Sequence, residues 1–316
     1  MTEEGIQIRG AFGRRIRARL ADSDLWHSFT RTPSAMISAV IAVVMIVAAL
    51  FAEVVAPHDP FDLATVDLFA ALTPPAWAED GTTEYLLGTD DQGRDVFSTI
   101  LYGARISILV GVASVALALV IGVTIGLVAG YVGGAVDTVL MRIADVQLSF
   151  PAILIALLID GVARGVLPRE AHDQLALTVL VFAIGLSFWV QFARTVRSSV
   201  RVEKTKEYVQ AGQVIGLPGH TILLRHILPN VTGPVLVIAT IQLALAIITE
   251  ATLSFLGVGV PPTSPSLGTL IRVGNDYLFS GEWWITIFPG IALVVLVLSV
   301  NLLGDWLRDA LNPKLR

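Results

Sequence analysis

The feature that most constrains this chain is a set of long apolar runs without charge. Residues 34–52 and 106–136 contain no charged side chain. About 20 helical residues cross the hydrocarbon core of a bilayer, so each run is long enough to span one. With 54% hydrophobic and 15% charged residues, the chain also lacks the polar surface that a soluble domain of this length needs. We therefore predict an all-α, polytopic membrane protein.

The apolar runs predict six membrane spans after a basic segment at residues 1–33. The predicted spans are residues 34–54, 104–131, 139–159, 174–193, 230–249 and 283–303, and together they form one transmembrane domain, residues 34–316. The N-terminal segment, residues 194–225 and the C-terminal tail are basic, whereas residues 53–105 are acidic. Cytoplasmic loops carry an excess of Lys and Arg, so six spans would place both termini in the cytoplasm and the acidic loop outside.

Two features inside the spans predict how they pack. Gly122, Gly126 and Gly130 are four residues apart and share one helix face, where small residues let another helix approach closely. Pro151 predicts a kink in the third span.

Ionisable residues are scarce within the predicted spans. Arg142 and Asp145 are three residues apart and are predicted to pair on one helix face. Asp160 and Glu250 fall at span ends, where exposure to solvent is the simpler expectation. The span centres therefore offer no residue suited to proton or sodium coupling.

A polar stretch at residues 203–229 lies between two apolar runs and predicts an elbow of two helices. Helical spacing over residues 203–215 is indicated by Tyr208, Ala211, Val214 and Ile215. Gly216 is predicted to end that helix, and Pro218 suits the first turn of the next one. In the second helix we expect an apolar stripe of Leu224, Ile227 and Leu228, with Pro229 marking re-entry into the bilayer.

The same stretch resembles the coupling loop of ABC importer permeases. The resemblance rests on Tyr208, Gln210, Ala211, Gly212, Gly216, Ile227, Leu228 and Pro229. It implies that Gln210, Ala211 and Gly212 face an ATPase subunit and that Gly216 fixes the bend. The family pattern has Glu where this chain has Gln210, and a second Ala where it has Gly212, which removes a carboxylate that could contact an ATPase. The alternative is a solvated basic loop of the kind common on the cytoplasmic side.

A second motif, at residues 87–95 and named the outer-loop motif for its predicted position, resembles the segment that precedes the second span in the peptide-importer branch of these permeases. It consists of Leu87, Gly88, Thr89, Asp90, Asp91, Gln92, Gly93, Arg94 and Asp95. The glycines permit tight turns, and Asp95 is placed to cap a helix that begins near Val96. Its three carboxylates could instead hold calcium, but their spacing lacks the pattern of a dedicated site, so no metal site is predicted.

A third motif and the C-terminal tail resemble the same branch. The third motif lies in a Pro- and Gly-rich stretch, residues 250–282, that we expect to be a loop. Part of this loop is expected to dip back toward the bilayer or to pack on other helices. Its matching residues include Glu250, Ser254, Phe255, Gly257, Gly259, Pro261 and Pro262. In the tail, residues 301–313 match the family ending, with Asn312 in place of Asp.

The resemblance identifies the chain as a permease subunit of the bacterial peptide (dipeptide, oligopeptide or nickel) ABC importer family, the C-type member of the permease pair. It implies the type I ABC importer permease fold in the cell inner membrane. It also implies a heterodimer with a second permease, two ATPase subunits that bind ATP and Mg²⁺, and an extracytoplasmic substrate-binding protein. No nucleic-acid partner is expected.

The chain itself has no phosphate-binding loop of the G-x-x-x-x-G-K-[ST] kind and no recognisable nucleophile motif, so it is expected not to be an enzyme and to carry no cofactor. Nickel chelates, glutathione or opine-like solutes are alternative substrates in this branch. A secondary transporter or a membrane scaffold are alternatives of another class, although no internal repeat is visible.

Overall fold

The computed structural model describes residues 24–62, 66–260 and 264–311, whose regular secondary structure is helical apart from an isolated bridge between Thr89 and Asp95. The residues before Asp24 lie outside it, and with them most of the predicted basic segment. The helices are α1 (Asp24–Arg31), α2 (Pro33–Leu50), α3 (Ala52–Val55), α4 (Val96–Val132), α5 (Gly134–Leu148), α6 (Ala152–Val166), α7 (Arg169–Lys204), α8 (Glu207–Val214), α9 (Gly219–Thr221), α10 (Leu228–Phe255), α11 (Leu267–Tyr277) and α12 (Trp284–Ala310). A 3₁₀ turn (Leu68–Ala70) lies in the acidic loop, residues 53–105, and a π-helical segment (Ile222–Ile227) joins α9 to α10.

Five helical segments in the described part of the chain are long and apolar enough to cross a membrane. They are Pro33–Leu50, Val96–Val132, Leu175–Glu203, Gly219–Phe255 and Trp284–Ala310. The bent pair α5 and α6 makes a sixth if the two helices are counted as one span. The helical membrane architecture expected from the apolar runs is confirmed, although most of these helices extend beyond the predicted limits.

The third predicted span, residues 139–159, is not a straight helix. Helices α5 and α6 are bent by 90° at the break between Leu148 and Ala152. Pro151 has an extended conformation and precedes the first residue of α6. Because proline lacks an N–H group and its ring collides with the preceding turn, it ends a helix more often than it continues one. The predicted kink is therefore a complete break.

Helices α4 and α7 pack along the glycine face of α4. A Cβ atom at Gly122 would lie 2.4 Å from the Trp189 carbonyl oxygen, and one at Gly126 would lie 2.6 Å from that of Ala193. At Gly130 it would lie 2.8 Å from Val200 Cβ. Only glycine leaves room for this approach, and the contact brings together buried residues of one core, including Phe192, Val196 and Val200.

A second core lies where α4, α10, α11 and α12 meet. Its buried residues include Leu267, Trp284, Ile285 and Leu296. Helix α11 falls inside the stretch predicted to be a loop, and the Ser266 hydroxyl caps it by accepting from the Thr269 N–H at 3.3 Å. The loop prediction for residues 250–282 was therefore too broad, because its Pro and Gly residues cluster between two helices.

Three predictions about ionisable residues were wrong. Asp145 pairs with Arg194 on α7 and not with Arg142. Asp160 is buried, and its carboxylate lies 2.6 Å from Arg164 Nε one turn along α6. Glu250 lies inside α10, which continues to Phe255, and it is completely buried. In each case the partner comes from tertiary packing or from a position outside the predicted span.

Candidate functional site

The elbow between α7 and α10 is built from short helices joined by a glycine corner. Helix α7 ends at Lys204 and α8 begins at Glu207, so the single helix predicted over residues 203–215 is interrupted at Thr205 and Lys206. Gly216 has φ of +83°, and its N–H donates to the Gln213 carbonyl at 3.0 Å. The left-handed conformation at Gly216 reverses the chain directly after α8, as predicted.

Helix α8 has one face against the protein and one face in the open. Val209 and Gly212 are buried, and a Cβ atom at Gly212 would touch Leu217 and Ile222. The exposed face carries Tyr208, Gln210, Ala211, Val214 and Ile215. Of the residues predicted to face a partner, Gln210 and Ala211 are therefore accessible, whereas Gly212 packs inside the elbow.

The apolar tip of the elbow is unusually open. Val214 is 88% exposed and Ile215 is 76% exposed. Removing apolar side chains from water lowers the free energy, and contiguous exposed apolar residues are typical of a docking surface.

A polar cluster fixes the base of α8 to α7. Glu203 is buried, and it accepts hydrogen bonds from Lys206 Nζ at 2.6 Å and from the Tyr208 hydroxyl. Asn230 Nδ2 donates to the same hydroxyl at 3.2 Å. Partial burial and the Glu203 carboxylate raise the pKa of Tyr208. Glu203 was not predicted as a site residue, because nothing in its local sequence shows that it is buried.

The second helix predicted for the elbow does not bury the whole of its predicted apolar stripe. Ile222 and Ile227 are buried, but Leu224 is 57% exposed. The π-helical segment explains the difference, since a π-helix has more residues per turn than an α-helix and shifts the buried face. Leu228 and Pro229 are the first two residues of α10, and proline is tolerated in the first turn of a helix.

At the end of α4 that lies away from the elbow, the outer-loop motif forms a compact turn against Trp284, the first residue of α12. Gly88 has φ of +82°, and a Cβ atom there would lie 2.9 Å from Trp284 Nε1. That indole nitrogen donates to the Thr89 carbonyl at 3.0 Å, and the Thr89 hydroxyl donates to Ala70 O at 2.5 Å. Gly93 also has positive φ, +77°. The motif therefore connects the acidic loop to the last span through hydrogen bonds.

The acidic side chains of this motif satisfy neighbouring donors. Asp90 binds Arg94, with 2.7 Å between its Oδ2 and Arg94 Nε, and both residues are buried. Asp95 caps α4 by accepting from the Ser98 N–H at 2.9 Å, the geometry expected of an N-cap. Burial and the neighbouring Asp90 carboxylate raise the pKa of Asp91. The contacts of Asp90 and Asp95 explain these two carboxylates as structural groups.

The third motif surrounds a buried carboxylate. Glu250 Oε2 accepts from the Ser107 hydroxyl at 2.6 Å, and Glu250 Oε1 accepts from the Ser254 hydroxyl at 2.7 Å. Ser107 Oγ in turn accepts from the Leu267 N–H at 3.3 Å, which links α4, α10 and α11. Gly257 and Gly259 follow with positive φ, and Phe255 is 40% exposed. Pro261 and Pro262 lie outside the described residues.

The arrangement offers docking and packing surfaces more readily than reaction chemistry. Among the side chains that the structure describes, no group of three His, Asp or Glu residues is placed to hold a metal ion. The elbow joins a rigid base, a glycine corner and an exposed apolar tip, a geometry that can transmit a displacement from a docked partner to α7 and α10.

Comparison with known proteins places this geometry in a family. Residues 122–316 match the family described as "Binding-protein-dependent transport system inner membrane component", and residues 23–75 match "N-terminal TM domain of oligopeptide transport permease C". The dipeptide transport system permease protein DppC of Escherichia coli K12 is 40% identical over 293 residues, 93% of each chain. Its counterpart in Haemophilus influenzae is 36% identical over 93% of this chain and 95% of that protein.

A solved structure shows the same fold. A chain of the MetNI methionine ABC transporter, in an inward-facing conformation, aligns with a TM-score of 0.53 at 17% identity, covering 68% of this chain and 96% of that chain. The chain belongs to the family of binding-protein-dependent transport system inner membrane components and is a multi-pass permease of the ABC importer class.

Proposed function

We propose that this chain forms half of the translocation path of an ATP-driven importer for dipeptides or oligopeptides. In this proposal it works beside a second permease, and two separate ATPase subunits hydrolyse ATP with Mg²⁺. An extracytoplasmic binding protein delivers the solute. The peptide substrate is supported by the dipeptide permeases that resemble the chain over 93% of its length.

The single observation that carries the coupling role is the exposed apolar tip of α8. Val214 and Ile215 lie at the C-terminal end of α8, whose base is held by the buried Val209 and by the hydrogen bonds of Glu203 to Lys206 and Tyr208. Because the base is held while the tip is open, movement of a docked partner would be passed into α7 and α10.

The basic residues around the elbow support a cytoplasmic position for it. Five basic residues precede α8 in the chain: Arg194, Arg197, Arg201, Lys204 and Lys206. Positive charge of this density favours the inner side of the membrane. The outer-loop motif and the Glu250 cluster then face the outside, where the binding protein would arrive. Both chain termini would be cytoplasmic.

Co-purification tests the docking role of the tip. We expect the double variant Val214→Asp with Ile215→Asp to lose most of the ATPase subunits that co-purify with the wild type in mild detergent. The reason is that docking would bury a charge in place of each apolar side chain. Val166→Asp is the matched control, since Val166 is 76% exposed but lies at the end of α6. Equal recovery of ATPase with both variants would refute docking through this tip.

A further inference from the structure

A polar cavity of about 380 Å³ opens at the base of the elbow. It lies between the end of α7, the turn from α4 to α5, and the flank of α8. Its lining includes Gly133, Gly134, Asp137, Arg201, Lys204 and Gln210. The volume falls within the range of small-molecule sites, about 300–1,000 Å³.

The two glycines leave one wall of the cavity bare. Gly133 and Gly134 have φ of +74° and +56°, and no heavy atom lies within 4 Å of the position that a Cβ atom would take at either residue. The backbone of the α4–α5 turn is therefore open to an occupant of the cavity.

The charges in the cavity do not cancel. The one carboxylate in its lining is that of Asp137, and Arg197 neutralises it. Two of the three guanidinium nitrogens of Arg197 donate to this carboxylate, Nη2 at 2.6 Å. Arg201 lies 3.9 Å from the same carboxylate, and its side chain is 61% exposed. Lys204 Nζ donates to the Tyr131 carbonyl at 2.7 Å, which leaves two of its three N–H groups for other acceptors. The cavity therefore keeps the charge of two cations.

We propose that this cavity binds a phosphate-bearing anion, which bridges Arg201 and Lys204 on α7 to the amide of Gln210 on α8. Arginine and lysine make charge-assisted hydrogen bonds to phosphate, and basic pockets between membrane helices on the cytoplasmic side bind anionic headgroups. The inference rests on the proposed function for its position at the inner membrane surface. A phospholipid headgroup and a soluble phosphate share the required chemistry.

Such a ligand acts on the elbow because the cavity lies between α7 and α8. Arg201 and Lys204 belong to the last turn of α7, and Gln210 belongs to α8. An anion held between them braces α8 against the membrane helices. Occupancy of the cavity thereby sets how stiffly the elbow follows a docked partner.

Calorimetric titration of the full chain in neutral detergent at low salt tests the proposal. The probes are inorganic phosphate, dihexanoyl phosphatidylglycerol and, as a lipid without net charge, dihexanoyl phosphatidylcholine. We expect the wild type to bind at least one of the two anionic probes. Arg201→Gln should weaken that binding at least about tenfold, because one charge-assisted hydrogen bond is lost. Arg194→Gln is the matched control, since Arg194 lies on the same helix but pairs with Asp145 outside the cavity.

The pattern of binding identifies the source of the ligand. Binding of phosphatidylglycerol alone indicates a lipid headgroup, and binding of inorganic phosphate indicates a soluble ligand. Failure of both anionic probes to bind the wild type would overturn the proposal. So would equal affinity for phosphatidylcholine, or an affinity unchanged by Arg201→Gln. Equal recovery of ATPase subunits with the tip double variant and with Val166→Asp would contradict the proposed docking role but would leave a positive titration intact.

Discussion

Gly216 is the residue on which the direction of the elbow depends. Its φ of +83° lies in the left-handed region, and no neighbouring atom lies within 4 Å of the position of a Cβ atom. The requirement for glycine is therefore conformational and not a matter of space. A side chain with a branched Cβ costs about 1–2 kcal/mol in this conformation.

Replacing Gly216 by Val should uncouple ATP hydrolysis from uptake. The strained corner would relax toward a helical conformation and turn the tip of α8 away from its docked position. We expect fewer solute molecules imported per ATP hydrolysed, measured in vesicles that contain the assembled transporter. Gly216→Asn is the control, because Asn tolerates this conformation. Wild-type coupling in Gly216→Val would remove the role assigned to the corner.

Glu250 makes a second prediction at the residue scale. Glu250→Leu would leave the Ser107 and Ser254 hydroxyls without their buried acceptor, at about 1–3 kcal/mol for each unsatisfied group. Glu250→Gln keeps an amide that can bond to both hydroxyls. Thermal unfolding in detergent should therefore show a lower midpoint for Glu250→Leu than for Glu250→Gln. A midpoint equal to that of the wild type in Glu250→Leu would show that the cluster contributes little.

At the scale of helices, the sequence predicts the features that depend on how residues are spaced along the chain. The apolar runs locate the spans, and the four-residue repeat of Gly122, Gly126 and Gly130 marks the face of α4 that meets α7. Pro151 marks the break between α5 and α6, but the 90° angle depends on what each helix packs against. The π-helical segment and the burial of Glu250 also depend on neighbouring helices, so no local pattern reveals them.

The glycine face of α4 gives a prediction at this scale. Gly126→Leu would place a side chain where the Ala193 carbonyl lies 2.6 Å from the Cβ position, so α4 and α7 must separate. Overpacking of this kind costs about 1–3 kcal/mol, and we expect a lower unfolding midpoint and a lower yield of folded protein. Gly161→Leu is the control, since Gly161 on α6 has open space around it. Equal loss in both variants would argue against a packing role.

At the scale of the whole molecule, long helices join two separate ends. The Glu250 cluster and the outer-loop motif hold one end together, and the elbow lies at the other end. Helices α7 and α10 each reach the elbow directly and run through the bundle. Energy delivered at the tip of α8 would therefore reach the translocation path through packed helices.

Uptake of a radiolabelled dipeptide into vesicles tests the central claim, that the elbow transmits work done by other subunits. We expect concentrative uptake only when the vesicles hold this chain, its permease partner and the ATPases, with the binding protein and ATP supplied. Vesicles that hold this chain alone should not concentrate the peptide. Concentrative uptake by this chain alone, without nucleotide, would contradict the account.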